Sequence, residues 1–163
     1  MQMKWIEMGA ALVVAAAGFA AASAQAQGEA QTPQQAVASR QGSYREIGAA
    51  MKGLSDQFRG GNPASMMVTR YAEQLRDYGA DQLRQTWFPA HTGLGQGLQT
   101  QAKPEIWSKP ADFDAYRTAF ARESAALAAV AKTGNMAQTQ AQYMKLGKVC
   151  ASCHEGFRAK DKS

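Results

Sequence analysis

The stretch KVCASCHEGFR, residues 148–158, holds the only two cysteines of the chain and one of its two histidines. Cys150 and Cys153 are separated by two residues, and His154 follows directly. Residues spaced in this way on a helix point to nearly the same side, so that both sulfur atoms can reach a single object. The fold proposed for the rest of the 163-residue chain has to account for this cluster.

The sequence after residue 26 predicts four helices and almost no strand. Apolar residues recur at steps of three and four, which keeps an apolar seam on one face of each helix. Ala, Gln, Met, Lys and Arg are abundant, and these residues favour helices. The predicted helices cover residues 33–58, a segment from Asn62 as cap and Pro63 towards Trp87, residues 108–134, and a segment from Asn135 through the cysteine cluster.

A long link, residues 87–110, separates the second and third predicted helices, whereas the other links are short. Short links join antiparallel neighbours. The predicted fold is therefore all-α, an antiparallel up-down-up-down four-helix bundle with a long loop between helices 2 and 3. Small residues on the seams are expected to leave room for a bound group between the helices; these are Ala36, Gly48, Ala50 and Gly147.

The first 26 residues predict a secretory signal peptide. Lys4 precedes the apolar run of residues 9–22, and small residues follow at the spacing of cleavage after Ala24 or Ala26. A retained membrane anchor is the alternative. The expected division is a signal peptide at 1–26 and a helical domain at 27–163. No other stretch is apolar enough to span a membrane, so we expect an exported, periplasmic protein without a membrane span after cleavage.

The charge pattern and the scarcity of catalytic motifs narrow the function classes. The formal net charge is +5, but the basic residues are spread along the chain and form no stripe, so nucleic-acid binding finds no support. No nucleophile lies beside a base, since His91 is the only other histidine, and no paired carboxylates form a recognisable motif. We therefore do not expect an enzyme.

Three interpretations compete for the cysteine cluster. The pattern C-x-x-C-H is typical of covalent haem attachment, with His154 placed to bind the iron. A disulfide, structural or redox-active, suits an exported protein with two cysteines, but redox C-x-x-C pairs usually begin a helix beside a strand. Zinc would need further ligands, for which only His91 in the long link remains. Haem attachment is favoured.

The sequence resembles the cytochromes c′, members of the class II c-type cytochromes, over residues 33–160. Residues 150–158, CASCHEGFR, resemble the C-terminal haem attachment site of that family. Residues 102–113, AKPEIWSKPADF, resemble the segment that leads into its third helix, and residues 40–54, RQGSYREIGAAMKGL, resemble its first helix. The resemblance implies a left-handed four-helix bundle, often a homodimer through the first two helices.

The resemblance also implies roles for residues of the last helix. Cys150 and Cys153 would form thioethers with one haem c, and His154 would be the proximal iron ligand. Arg158, one turn beyond His154, would lie near the proximal face and tune the iron with its charge. Spacing alone would favour an exposed helix charge for Arg158, and likewise for Arg40 on the first helix.

On the first helix, Arg40 and Gln41 match a pair that hydrogen-bonds a haem propionate in the family, and a guanidinium suits a carboxylate geometrically. In this register the position that faces the iron from the distal side falls on Tyr44. A second register, which matches Arg45 instead, would bring Ala49 to that position. The direct match of RQG favours the first register.

Tyr44 favours five-coordinate, high-spin iron, because a neutral phenol is a poor iron ligand and would block the distal face. The function expected from the resemblance is a periplasmic cytochrome that transfers electrons and binds NO or CO. The alternative is a low-spin, six-coordinate electron carrier in which Met51 completes the coordination, with Met66 and Met67 as weaker candidates. Methionines at helical spacing, however, usually fill a core.

Overall fold

The computed structural model describes residues 31–80 and 86–160, and the predicted signal peptide at 1–26 lies outside them. Within the described residues the secondary structure is helical, apart from an isolated antiparallel bridge between Ala102 and Arg158. None of the described helices is long and apolar enough to cross a bilayer. The helices are α1 (Pro33–Arg59), α2 (Ser65–Ala80), α3 (Glu105–Ser108), α4 (Pro110–Lys132) and α5 (Met136–Phe157).

Local capping explains where α1 and α5 begin. Thr32 accepts a hydrogen bond from the backbone N–H of Gln35, and the Gln35 side chain accepts one in return from Thr32, so both ends of a capping box are present. Asn135 caps α5 by accepting from the N–H of Gln138 at 3.0 Å. Gly134, with φ of 74°, separates α4 from α5. The predicted starts of the first and last helices are confirmed.

The second helix begins later than predicted, at Ser65 instead of Pro63. The side chain of Gln57 on α1 accepts a hydrogen bond from the backbone N–H of Ala64 at 2.8 Å. A contact with the preceding helix therefore satisfies this donor before α2 begins. The predicted continuation towards Trp87 crosses residues 81–85, which lie outside the described residues. The four-residue helix α3 interrupts the predicted long loop.

The four long helices pack as a bundle in which α1 lies on α2, α2 on α4 and α4 on α5. A buried core cluster draws residues from all four helices and includes Leu54, Leu75, Leu127 and Leu146, each fully buried. At one end α1 and α5 also meet, through the rings of Phe58 and Tyr143 with centroids 5.5 Å apart. The predicted all-α four-helix bundle is confirmed.

A second buried cluster lies where the long loop meets the end of α5. Ile106, Phe113 and Phe157 form its centre, and the rings of Phe88 and Trp107 pack against it. Backbone hydrogen bonds join the loop to the end of the chain, from the Lys103 N–H to the Phe157 carbonyl at 3.0 Å and from the Ala159 N–H to the Gln101 carbonyl at 2.8 Å. The loop is thereby held beside the C-terminal turn of α5.

Candidate functional site

A cavity of about 950 Å³ lies between α1 and α5, and α4 and the long loop complete its walls. Its lining residues on α1 begin at Arg40 and end at Met51, and those on α5 begin at Gly147 and end at Phe157. These are the halves of the two helices away from the Phe58–Tyr143 contact. The bundle is therefore closed at one end of the α1–α5 seam and holds a cavity along the rest.

The cysteine cluster forms the α5 wall of this cavity. Cys150, Cys153 and His154 all line it, as the helical spacing of the motif predicted. Burial, together with the nearby positive charge of Arg158, lowers the pKa of His154 and so favours the neutral imidazole. Neutral imidazole is the form that ligates metals.

The state of the two thiols bears on the alternatives to haem attachment. Cys150 and Cys153 are not joined by a disulfide, and burial raises the pKa of both thiols, that of Cys153 to about 11. Redox-active cysteines have a lowered pKa instead. His91 lies in the loop and does not line the cavity, and in the described parts of the chain no three His, Cys, Asp or Glu side chains cluster as metal ligands would.

The α1 wall presents Tyr44 and Met51 to the cavity. The Tyr44 ring packs edge-on against Trp87, with centroids 5.5 Å apart, yet 42% of the residue remains exposed. Ala49, the distal residue of the second register, does not line the cavity. Neither do Met66 and Met67, so Tyr44 and Met51 are the two sequence candidates for the distal side that the fold brings to the cavity.

Arg40 lines the cavity but is almost fully buried, with 2% of its surface exposed. Its Nη1 donates to the Trp87 carbonyl at 3.3 Å and to Thr92 Oγ1 at 2.8 Å. Its Nη2 donates to the Thr92 carbonyl and to Thr100 Oγ1, the latter at 2.7 Å. Four of the five guanidinium N–H groups thus bind the long loop. The propionate contact expected of Arg40 stays a prediction. Of its guanidinium donors, only Nε–H is not used by these four hydrogen bonds.

Two other predicted site residues also bind the loop from the rim of the cavity. The Gln41 side chain donates to the Gln99 carbonyl at 2.8 Å. Arg158 donates from Nε to Gln101 Oε1 at 2.7 Å, and its backbone N–H donates to the His154 carbonyl at 3.0 Å. All seven predicted site residues therefore surround one cavity, while their roles towards a bound group stay predictions.

The space and the donor set fit a haem. Gly48 and Gly147 line the cavity from opposite helices, and a Cβ added at either would meet no atom within 4 Å. These two glycines leave room as expected, whereas Ala36 and Ala50, each 1% exposed, are buried and do not line the cavity. The bundle core needs small side chains there, so the expectation that they leave room for a bound group was wrong. A volume of about 950 Å³ is at the upper end for ligand sites.

The charges that the described residues bring to the cavity wall are of one sign. Among residues 31–80 and 86–160, four arginines line the cavity and no aspartate or glutamate does. Such a wall suits a group that carries carboxylates, as haem does with its two propionates. Arg117 on α4 belongs to this set and was not among the predicted site residues. Its position between Phe113 and Phe120 on the apolar face of the predicted helix was the signal that could have identified it.

A protein-family model described as Cytochrome C′ matches residues 35–158, most of the chain. The chain belongs to the cytochrome c′ family. It is 30% identical over 127 residues to the cytochrome c′ of Pararhodospirillum photometricum, and this match covers 78% of the chain and 98% of that protein. Four other curated relatives, named cytochrome c-554 or cytochrome c′, match over 68 to 75 residues, and the chain spans about half of their length, 48 to 56%.

Solved cytochromes c′ share the fold. A cytochrome c′ described as having an unusual ligand-controlled dimer dissociation superposes with a TM-score of 0.75 at 24% identity, covering 81% of the chain and all of that structure. The nitric oxide complex of a variant cytochrome c prime from Alcaligenes xylosoxidans gives a TM-score of 0.70 at 27% identity, with the same coverage. Proteins of the cytochrome c′ family carry covalently bound haem c, and haem c is the cofactor of this chain.

Proposed function

We propose that this cytochrome c′ is a periplasmic protein with a five-coordinate, high-spin haem iron that transfers electrons and binds NO or CO. The proposal rests on one observation, the cavity between α1 and α5 with Cys150, Cys153 and His154 on one wall and Tyr44 on the other. One wall thus offers two cysteines that would attach the haem and a histidine that would ligate its iron. The other offers a bulky side chain that is a poor ligand.

Each residue of the site has a distinct part in this proposal. Cys150 and Cys153 would hold the haem by thioether bonds, and the neutral imidazole of His154 would ligate the iron. When bound, the haem supplies an iron that can be oxidised or reduced by one electron and can bind a small neutral gas. Arg158, which lowers the pKa of His154, keeps a positive charge beside the ligand. The apolar side chains of Phe113 and its neighbours would limit the access of water to the haem.

Replacing Tyr44 tests whether its ring guards the distal side. We expect Tyr44→Ala to increase the rate of CO binding to the reduced protein by at least about tenfold, because removing the ring lowers a steric barrier by more than about 1.4 kcal/mol. Stopped-flow mixing with CO measures this rate. Tyr44→Phe keeps the bulk and loses only the hydroxyl, so its rate should stay close to that of the native protein.

An unchanged rate in Tyr44→Ala would contradict this distal role for Tyr44. The second candidate function, a six-coordinate electron carrier, is favoured by the position of Met51 on the same wall of the cavity. In that case optical and EPR spectra would be low-spin in both oxidation states, the reduced protein would resist CO, and Met51→Leu would convert it to high-spin. The five-coordinate proposal expects high-spin spectra for both the native protein and Met51→Leu.

Export and haem attachment can be tested together by intact mass spectrometry of the protein recovered from the periplasm. The proposal expects a chain that begins after Ala24 or Ala26 and carries the added mass of one haem. A mass equal to that of the polypeptide alone would contradict haem attachment. A retained N-terminus would contradict cleavage and leave haem attachment standing.

Solved relatives support two finer parts of the proposal. A related cytochrome c prime forms a nitric oxide complex, which supports NO as a ligand here. Another related protein is described as having a ligand-controlled dimer dissociation, which supports the homodimer expected from the resemblance. The exposed side chain of Met66 lies on α2, one of the two helices through which such a dimer is expected. Sedimentation of the reduced protein with and without CO tests the dimer.

A further inference from the structure

Arg117 has a buried donor that nothing in the described protein uses. It lies on α4 and lines the cavity, on the same helix face as Phe113 and Phe120. Its Nη1 pairs with the carboxylate of Asp114 at 2.8 Å, but its Nε is buried and has no hydrogen-bond partner. Leaving a charged N–H donor buried and unpaired is unfavourable, so this atom calls for an acceptor in the cavity.

The part of the chain that the structure describes offers no such acceptor. None of its aspartates or glutamates lines the cavity, and the partner of Arg117, Asp114, has 63% of its side chain exposed at the surface. An ion pair exposed to that degree neutralises the guanidinium only weakly. Arg117 therefore keeps its positive charge beside the cavity that it lines, and its buried Nε–H is left without an acceptor.

The other arginines of the cavity wall are less suited to a carboxylate. Arg40 directs four of its five N–H groups to the long loop. Nε of Arg158 donates to Gln101 at the rim, and Arg45 is exposed on α1. Hydration weakens the attraction of an exposed charge. Arg117, with 21% of its side chain exposed, combines partial burial with a buried donor that is not used.

We propose that Arg117 pairs with a haem propionate through its Nε–H and is the main charged partner of that carboxylate, the role that the resemblance implies for Arg40. This proposal rests on the proposed function, because it requires haem in the cavity. A charge-assisted hydrogen bond of this kind holds the propionate ionised and places a positive charge near the iron. A positive charge favours the reduced iron, so the pair raises the reduction potential.

The test compares Arg117→Gln with Arg122→Gln in the holoprotein. Arg122 is the matched control, since it is also on α4 and in an ion pair, with Glu123 at 2.9 Å, but its side chain is 70% exposed. We expect Arg117→Gln to lower the midpoint potential clearly more than the control does and to shift the propionate bending band in the resonance Raman spectrum. Arg117→Lys, which keeps the charge, should recover most of the potential.

Equal potentials and identical propionate bands in the two glutamine variants would overturn the proposal. A crystal structure of the holoprotein gives the direct measurement, with a separation of about 2.9 Å expected between Nε and a propionate oxygen. A propionate bound only to Arg40 would also overturn it. If the purified chain carried no haem, the proposed function would fail; a haem-loaded protein in which Arg117 has no effect contradicts this inference alone.

Discussion

Arg40 is a buried positive charge without an acidic partner in the described protein, and its neighbours explain how the fold accommodates it. Backbone carbonyls of Trp87 and Thr92 and the hydroxyls of Thr92 and Thr100 accept its N–H groups. The guanidinium carbon also lies 4.8 Å from the centre of the Phe88 ring, which attracts the cation. Burial lowers the pKa of Arg40, but an arginine keeps its proton in proteins. Arg40 thus ties the long loop to α1.

We expect Arg40→Met to lower the free energy of unfolding by about 3 kcal/mol, because several acceptors of the loop lose a charged donor while remaining buried. Urea denaturation of the holoprotein measures this change. The control is Arg45→Met on the same helix, where the side chain is exposed and the cost should stay below about 0.5 kcal/mol. Equal denaturation midpoints for the two variants would mean that other contacts hold the loop.

At the level of the elements, α2 and α4 approach each other closely at Gly79. A Cβ built on this glycine would lie 3.2 Å from the Cα of Ala121 and would collide with the hydroxyl of Ser124. Gly79 and Ser124 are both buried, so a larger side chain at this contact could not move into solvent. Two small residues therefore set the distance between these helices.

We expect Gly79→Ala to destabilise the protein by about 1–3 kcal/mol, since the added methyl group must push backbone apart in a packed core. Thermal unfolding followed by circular dichroism measures the effect. Gly156→Ala on α5 is the matched control, because its Cβ would meet no atom within 4 Å. Alanine should stabilise that helix by up to about 1 kcal/mol. A stabilised Gly79→Ala would show that the helices can separate at little cost.

At the scale of the whole molecule, the bundle has one incomplete seam. The core cluster joins the four long helices, but between α1 and α5 the side chains leave a cavity of about 950 Å³. Protein interiors are close-packed, and a void of this size forfeits the contacts of all the atoms around it. The folded chain is thus complete only with its haem, which gives the cofactor a structural part besides its chemical one.

We expect the double variant Cys150→Ser, Cys153→Ser to be exported without covalent haem. Its melting temperature should be at least about 10 °C below that of the native protein, because the cavity walls lose their contacts with the haem. Absorption spectra and thermal unfolding measure both effects. Ser152→Ala, an exposed change between the two cysteines, is the control and should retain both the haem and the melting temperature. An unchanged melting temperature in the double variant would contradict a structural role for the haem.

The helices and the cysteine cluster could be predicted from the sequence because their signals are local. The capping residues Thr32 and Asn135 act within one turn, and the spacing of Cys150, Cys153 and His154 places them on one helix face whatever the rest of the chain does. The same local argument could not find the late start of α2 at Ser65, because Gln57, which satisfies the donor before it, belongs to another helix.

The sequence by itself therefore determined the all-α class, the helix order and the haem-binding motif, all of which depend on residues near one another in the chain. Only the tertiary structure decided that Arg40 binds the long loop and that Ala36 and Ala50 are in the core. It also decided that Arg117 lines the cavity and has a buried Nε without a hydrogen-bond partner. The reason is physical. Hydrogen bonds join residues as many as 62 positions apart, and these residues meet only once the helices have packed.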